Sequence, residues 1–302
     1  MTFHVPDKNH DLFGDVLDRF RVLLKKRVIT GIDETALDRW LGNFNTDEER
    51  YFAACILNRL IFRSQAMINS SIDHLLHCML PTFLRQNDLF PHNDIESFLR
   101  ALRTNDSSYH VRFVGVDGSK TSDTGKSGVL VIRRYKQHAG IDKLLTCRPD
   151  KFAELSNKVR CIVFVDDMLG TGKQFYDFAV ENALAEKKHI RMVYCPLVAH
   201  NNGLQWLRAK CSWLTVLPVE VLDERHQFFC ESIKNPGFWK VDESNTAVDA
   251  RVFYDNLAIK HGIPKSTRFT LDLVLGFEHS TPNNSLSLLW ASSDKWTALL
   301  KR

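Results

Sequence analysis

The segment Cys161-Ile162-Val163-Phe164-Val165-Asp166-Asp167 sets five consecutive apolar residues in front of two adjacent carboxylates. A strand that is apolar at every residue must be covered on both faces, which is the habit of parallel sheets. The run then passes through Met168-Leu169-Gly170-Thr171-Gly172 into Lys173-Gln174, and a strand–turn–helix unit is predicted there. Glycines let such a turn take positive φ and bring its backbone close to a ligand. The first N–H groups of the following helix lack intrahelical partners and hold an anion favourably. Carboxylates beside an anion site suit a ligand that carries a phosphate together with a diol or a metal. A phosphorylated sugar has that mixture.

Spacing excludes a P-loop, which needs Gly, four residues, then Gly-Lys-Ser/Thr. Gly172-Lys173 is followed by Gln174 and has Asp167 where the first glycine belongs, while Gly125-Lys126-Ser127 has Lys120 at that place. Val165-Asp166-Asp167 is therefore not the magnesium-holding strand of an ATPase.

Composition excludes several other classes. The 302 residues are 44% hydrophobic and 25% charged, with a net charge of +4. Lys25-Lys26-Arg27, Arg133-Arg134 and Lys187-Lys188 are short, separated clusters, not the extended basic stripe of a duplex binder. The cysteines (Cys55, Cys78, Cys147, Cys161, Cys195, Cys211, Cys230) contain no C-x-x-C pair and mostly sit in apolar runs, as buried free thiols do. No secretory signal opens the chain, and no apolar run approaches the ~20 residues of a membrane span. A cytoplasmic protein with reduced thiols and no membrane partner is expected.

Up to residue 105 the chain reads as helices. Leu12, Val16, Phe20 and Leu23 share a helical face; Thr46 with Glu49 makes a capping-box signature ahead of Phe52, Cys55, Ile56 and Leu60. Ile72 to Phe83 continues the pattern, with a stop expected near Pro81 or soon after, and Ile95 to Leu102 gives one further short helix. His74, His77 and Cys78 share a helix with that apolar stripe and read as packing residues, not metal ligands. After Asn105 the texture changes. Strands are expected at Val111–Val116, at the Asp166-Asp167 segment, at Ile190–Val198 and at Leu214–Leu222, with a helix from about Lys173 to Lys187. Strand–helix–strand order implies right-handed crossovers and a mostly parallel sheet, whose ligands sit at the carboxyl ends of the strands. The expected fold is thus α/β, a mostly parallel sheet flanked by helices, over 106–302, preceded by a helical N-terminal region, 1–105, packed on that core.

The central stretch resembles the phosphoribosyl diphosphate motif of type I phosphoribosyltransferases: an apolar strand, two acidic residues, two apolar residues and a small-residue turn containing Thr-Gly. The resemblance implies that Asp166 and Asp167 are the catalytic pair, taking the ribose 2- and 3-hydroxyls. Gly170, Thr171, Gly172, Lys173 and Gln174 would wrap the 5-phosphate. In the same family a diphosphate-binding loop follows a preceding strand, so Ser119, Lys120, Lys126 and Ser127 in the loop from Asp117 to Ser127 are candidates for it. Magnesium would arrive with the diphosphate substrate, with no direct protein ligand assigned.

A narrower resemblance extends along the chain. The Asp-Asp-x-x-Gly-Thr-Gly-x-Gln form of 166–174 looks like that of phosphoribosyltransferase-like proteins of bacterial conflict systems, the PRTase-CE type. The tail Phe277-Glu278-His279-Ser280-Thr281-Pro282-Asn283-Asn284-Ser285-Leu286-Ser287-Leu288-Leu289-Trp290, with Trp296 after it, is similar too, as is the helical stretch from Leu57 to Ser64. This implies an effector of anti-phage defence, binding phosphoribosyl diphosphate or a nucleotide and transferring or cleaving at ribose C1. The alternative is a non-catalytic sensor or an adaptor docking through the charged residues Glu48, Glu49, Arg50, Arg59 and Arg63. Implied protein partners are other defence components, for example a retron reverse transcriptase with its nucleic acid, and association with further copies of the chain stays open. Asn283 and Asn284 either hold a base or make a turn after Pro282. Glu220, Asp223 and His226 are the nearest candidates for a general base, with an exposed loop as the favoured reading of them.

Overall fold

The computed structural model describes residues 3–9, 11–104, 106, 108–116, 127–155, 157–231, 237–264 and 271–302. Two compact units divide the chain, Met1–Met67 with Asp223–Arg302, and Ile68–Leu222. This division follows a different line from the sequence boundary at 105/106. The last eighty or so residues carry their own apolar content and group with the N-terminal helices, while the helices after residue 68 group with the sheet.

In the first unit, α1 (Leu12–Lys25), α2 (Glu34–Leu41), α3 (Asp47–Arg59) and α10 (Ala247–Lys260) contribute to one apolar core. The Thr46/Glu49 capping box forms as the spacing requires, and it takes Glu49 out of solvent: the residue is 5% exposed and also accepts from Lys260 Nζ at 2.6 Å. Aromatic rings fill the core. Phe3 stacks on Phe253 at 4.4 Å, and Phe52 meets Phe228 edge-on at 5.7 Å. The helix expected to run from Leu57 to Ser64 stops at Arg59. Leu60 is extended, and Ile61–Arg63 forms β1, paired in parallel with β7 (Leu275–Phe277). Two β-branched or aromatic residues here gain more from a buried strand pair than from one more helical turn. The docking face proposed for an adaptor therefore loses Arg63 to a strand and Glu49 to burial. The short α11 (Ser287–Trp290) lies in the tail.

The second unit opens on the end of α4 (Gln65–His74), a π-helical turn at Leu75–Met79 and α5 (Leu80–Gln86), followed by α6 (Ile95–Arg103). Pro81 itself does not stop the helix, which ends soon after it, at Gln86. It occupies the first turn of α5, where its missing N–H is no loss, and the wider π turn precedes it. His74, His77 and Cys78 are exposed on the side away from Leu75 and Leu76 rather than packed. The sheet consists of β2 (Val111–Gly115), β3 (Cys161–Leu169), β4 (Arg191–His200), β5 (Leu214–Val216) and β6 (Glu220–Leu222), ordered β2-β3-β4-β5 with β6 also against β4. Every named pair is parallel, and the central register aligns Val114, Phe164, Tyr194 and Val216. The single strand expected over Leu214–Leu222 is two short ones, separated by a segment containing Pro218, which cannot donate to a ladder.

Helices α7 (Ser127–Ala139), α8 (Lys173–Glu181) and α9 (Asn201–Lys210) complete this unit. The apolar run from Gly128 to Ile132 is thus helical. Phe113 faces Tyr135 of α7 at 6.2 Å, whereas Phe164 and Tyr194 face Phe175 of α8 at 5.3 and 4.2 Å. Since adjacent strand residues alternate, α7 and α8 cover opposite faces. That double cover is the reason every residue of β3 is buried.

Candidate functional site

Strand β3 carries the acidic doublet near its carboxyl end, and three residues separate the end of the strand from the start of α8. The ladder loosens at the doublet: Asp166 lies opposite Pro196, which has no N–H to give. Both carboxylates are nearly enclosed, Asp166 at 1% and Asp167 at 7% exposure.

Asp166 has a partner on each oxygen. Its Oδ1 accepts from the backbone N–H of Asp167 at 3.0 Å, and its Oδ2 accepts from the hydroxyl of Tyr194 at 2.8 Å. Burial, and secondarily the neighbouring Asp167, push the Asp166 carboxyl well above the ordinary aspartate range, opposed by the Tyr194 hydrogen bond. The same burial raises the Tyr194 phenol, with Asp166 adding to the effect. Tyr194 therefore stays protonated and donates.

The turn has a distinct geometry. Gly172 takes φ +86°, the left-handed region that favours glycine, and from there α8 starts with no side chain capping it among the described residues. Thr171 is half-buried, whereas Lys173 and Gln174 are exposed. The Lys173 ammonium reaches along its own helix to Asp177 at 3.0 Å.

Behind the turn stands the first part of α9. A Cβ at Gly203 would sit 1.9 Å from the carbonyl oxygen of Gly170, so only glycine permits that approach. A Cβ at Gly172 would come 2.9 Å from the Trp206 ring and 3.0 Å from the Gly203 carbonyl. His200, fully buried at the end of β4, caps α9 by accepting from the Asn202 N–H at its Nδ1, 3.2 Å away. Turn, doublet and the start of α9 thus form one packed assembly at the carboxyl end of the sheet.

Tyr194, Gly203, Trp206 and His200 were not singled out by sequence. Tyr194 had a signal, since a phenol in the middle of an apolar strand needs a partner. Gly203 had none, because Asn201-Asn202-Gly203 reads as a loop.

The other candidates distribute as follows. Ser119, Lys120 and Lys126 lie outside the described residues. Ser127 is the first residue of α7, and its side chain is likewise outside them. Asp223, Arg225 and His226 engage one another in a capped turn, and Arg225 holds the Asp223 carboxyl down to about 2. A carboxylate so held is a poor proton acceptor near neutrality. Glu220 is on β6. Asn283 and Asn284 form a turn in which Ser285 donates to the Pro282 carbonyl at 3.0 Å. The Asn283 side chain accepts from Arg302, and the Asn284 carbonyl accepts from Leu273 at 3.0 Å.

No helix among the described residues is long and apolar enough to cross a membrane. Cys55, Cys161, Cys195, Cys211 and Cys230 are buried free thiols, Cys147 is half-buried and Cys78 is exposed. No curated protein matches the chain. A family model described as PRTase-CE matches residues 37–302. With a parallel α/β sheet that ends in an acidic doublet and a glycine turn, and a match over nearly its whole length, the chain belongs to the phosphoribosyltransferase-like PRTase-CE family.

Proposed function

We propose that the end of β3 and the start of α8 bind the ribose 5-phosphate part of phosphoribosyl diphosphate or of a nucleotide, and that the chain transfers or cleaves at ribose C1. The observation that carries this is the abrupt passage from a buried acidic strand end, through Gly172 in the left-handed conformation, into a helix whose first N–H groups have no partner within it. A 5-phosphate on those groups leaves the ribose hydroxyls over the doublet. The family membership supports the same ligand.

The chain's own contribution is to fix the sugar, exclude water and bias charge. A carboxylate beside the ribose favours the positive charge that develops as the C1 bond to the leaving group breaks. A pinned phosphate removes the rotational freedom of the substrate before reaction. Magnesium, which favours substrate phosphate oxygens with one or two carboxylates, would supply charge neutralisation of the diphosphate. Asp167 is the carboxylate of this chain whose chemistry suits that set.

In its biological setting we read the protein as an effector of anti-phage defence, where altering or depleting nucleotides is the toxic outcome. The test joins calorimetry with phosphoribosyl diphosphate and magnesium to a diphosphate-release assay. Binding and release support the transferase reading. Binding without release makes the chain a sensor, and absence of both ends the proposal.

A further inference from the structure

Basic residues that stand apart in sequence come together at one edge of the sheet. Because β3, β4 and β5 are parallel, the segments that enter them meet at the amino end, opposite the acidic doublet. Lys158 and Arg160 lead into β3. Lys187 and Lys188 lead into β4, which opens on Arg191, and Lys210 ends α9 shortly before β5. Register sets how closely they gather. Arg191 pairs with Cys161, and its N–H donates to the Arg160 carbonyl at 2.8 Å. Leu214 pairs with Met192, which puts the half-buried Trp213 at the level of Arg191. Neighbouring strands lie about 4.8 Å apart, so the row from β3 to β5 is roughly 10 Å wide.

The fold does not consume this charge. Glu186 is the one carboxylate in the segments 157–160, 182–190 and 211–213, so this edge is more positive than a chain of net charge +4 requires. Asp106 lies within electrostatic reach of Lys158. Among the described residues, Arg160, Lys187, Lys188, Arg191 and Lys210 are in no ion pair, and all of them except the half-buried Lys187 are exposed. Lys210 gains from the negative end of α9, but arginines at strand starts have no such return. Like charges crowded in this way favour a polyanion that covers them.

The residues around the cations indicate which polyanion. Val159, Leu184 and Ile190 of the same segments are buried, so the edge lacks the apolar anchors that enter a bilayer. Guanidinium groups hold phosphate through paired hydrogen bonds, and an indole gives a base a face to stack on. A row three strands wide suits a few phosphates of a flexible strand better than the long footprint of a duplex. We infer that the amino edge of the sheet binds single-stranded nucleic acid, with Arg160, Lys187, Lys188 and Arg191 on its phosphates. Asp166 lies five residues along β3 from Cys161, about 17 Å away. This surface is therefore separate from the ribose-phosphate site and independent of that reading.

The experiment follows the anisotropy of a labelled thymidine oligonucleotide of about 12 residues against the full chain, from about 50 to about 200 mM salt. Affinity should fall with salt, with a logarithmic slope of about −0.7 for each phosphate engaged. The variant Lys187→Gln/Lys188→Gln/Arg191→Gln should flatten that slope by about 2 and weaken low-salt binding about tenfold or more, at unchanged far-ultraviolet circular dichroism. Lys25→Gln/Lys26→Gln/Arg27→Gln removes the same charge from another cluster and should leave affinity within about twofold. A duplex of the same length should compete less well than the strand.

Absence of binding at low salt overturns the inference, as does an equal loss in the two variants, which would trace binding to net charge. A duplex that competes as well as the strand overturns it too. Binding to phosphatidylserine vesicles with none to the oligonucleotide would make the edge a lipid-facing surface instead.

Discussion

Two segments of this chain stand out in sequence, and they use their polar groups in opposite ways. In the tail, from Phe277 to Trp290, the polar groups turn inward. Ser285 Oγ donates to the Leu275 carbonyl at 2.7 Å, Ser287 Oγ pairs with the Tyr254 hydroxyl at 2.7 Å, and Trp290 Nε1 donates to the Ser285 carbonyl at 3.2 Å. The β3–α8 segment instead brings two carboxylates and an uncapped helix start to one strand end. A conspicuous run of Asn and Ser can therefore be a hydrogen-bonding solution to closing a fold, whereas a strand that buries two adjacent carboxyl groups sets like charges together where burial already disfavours them. The lesson is that a motif points to chemistry when its polar groups cost the fold more than their hydrogen bonds return.

The comparison breaks most easily on the largest expected effect. The double variant Asp166→Asn with Asp167→Asn should lower diphosphate release by on the order of 100-fold or more, at unchanged far-ultraviolet circular dichroism. Asn283→Ala, which removes an exposed contact to Arg302, should leave release within twofold. Equal losses in the two variants would erase the distinction between the segments.

Next in size is Gly203→Ala. Its methyl must displace the Gly170 carbonyl, which lies 1.9 Å from the ideal Cβ position, and backbone cannot yield as a side-chain tip does. Overpacking of this kind costs about 1–3 kcal/mol. The turn is the part that must move, so affinity for ribose 5-phosphate should fall together with the urea midpoint. Lost stability with intact affinity would mean that α9 gives way instead.

Much of this arrangement was readable beforehand, for identifiable reasons. The β3–α8 unit was legible because five apolar residues, a carboxylate pair and Gly-Thr-Gly are all local signals. The α3 start was legible because Thr46 and Glu49 satisfy each other within one turn. Residues whose role depends on a partner far along the chain were not. Ile61–Arg63 continues a helical pattern, and only β7, more than two hundred residues later, makes it a strand. Gly203 matters through Gly170, with all of α8 and β4 between them in the chain. Tyr194 matters through a carboxyl 28 residues earlier. The unit boundary escaped for the same cause, since nothing local in 223–302 says that it groups with helices near the start.

Intermediate effects separate the segments by pH and by stability alone. The folded Asp166 carboxyl holds its proton above the unfolded aspartate value of about 3.9, because burial and Asp167 oppose ionisation. Its contribution is thus fully favourable below the unfolded value and is lost as pH rises toward the folded one. Asp166→Asn cannot titrate, and Tyr194 can turn its hydroxyl to accept from the new amide. The variant should gain stability on wild type between pH 4.5 and pH 8 in urea melts, and a gain that shrinks with pH would contradict a protonated Asp166. In the tail, Tyr254→Phe removes the hydroxyl that pairs with Ser287 Oγ and accepts from the Ser287 N–H at 3.0 Å. It should cost about 1–2 kcal/mol at every pH in that range, since neither partner titrates there, and should leave ribose 5-phosphate affinity unaltered.

The smallest expected effect tests the edge of the phosphate turn. Lys173 is the one cation in the stretch Gly170–Gln174, yet its ammonium lies 3.0 Å from Asp177, four residues along the same exposed helix face. Pairs of that kind contribute about 0.3–0.5 kcal/mol, so Lys173→Ala should barely move the urea midpoint. If backbone N–H groups of the turn carry the phosphate, affinity for ribose 5-phosphate should drop by less than about threefold, with the remaining difference vanishing in high salt as exposed charge effects do. A loss above tenfold that persists at high salt would mean that the ammonium leaves Asp177 for the ligand. The grip would then rest on a side chain and not on the geometry of Gly172, and Asp177→Asn, by freeing the lysine, should tighten binding.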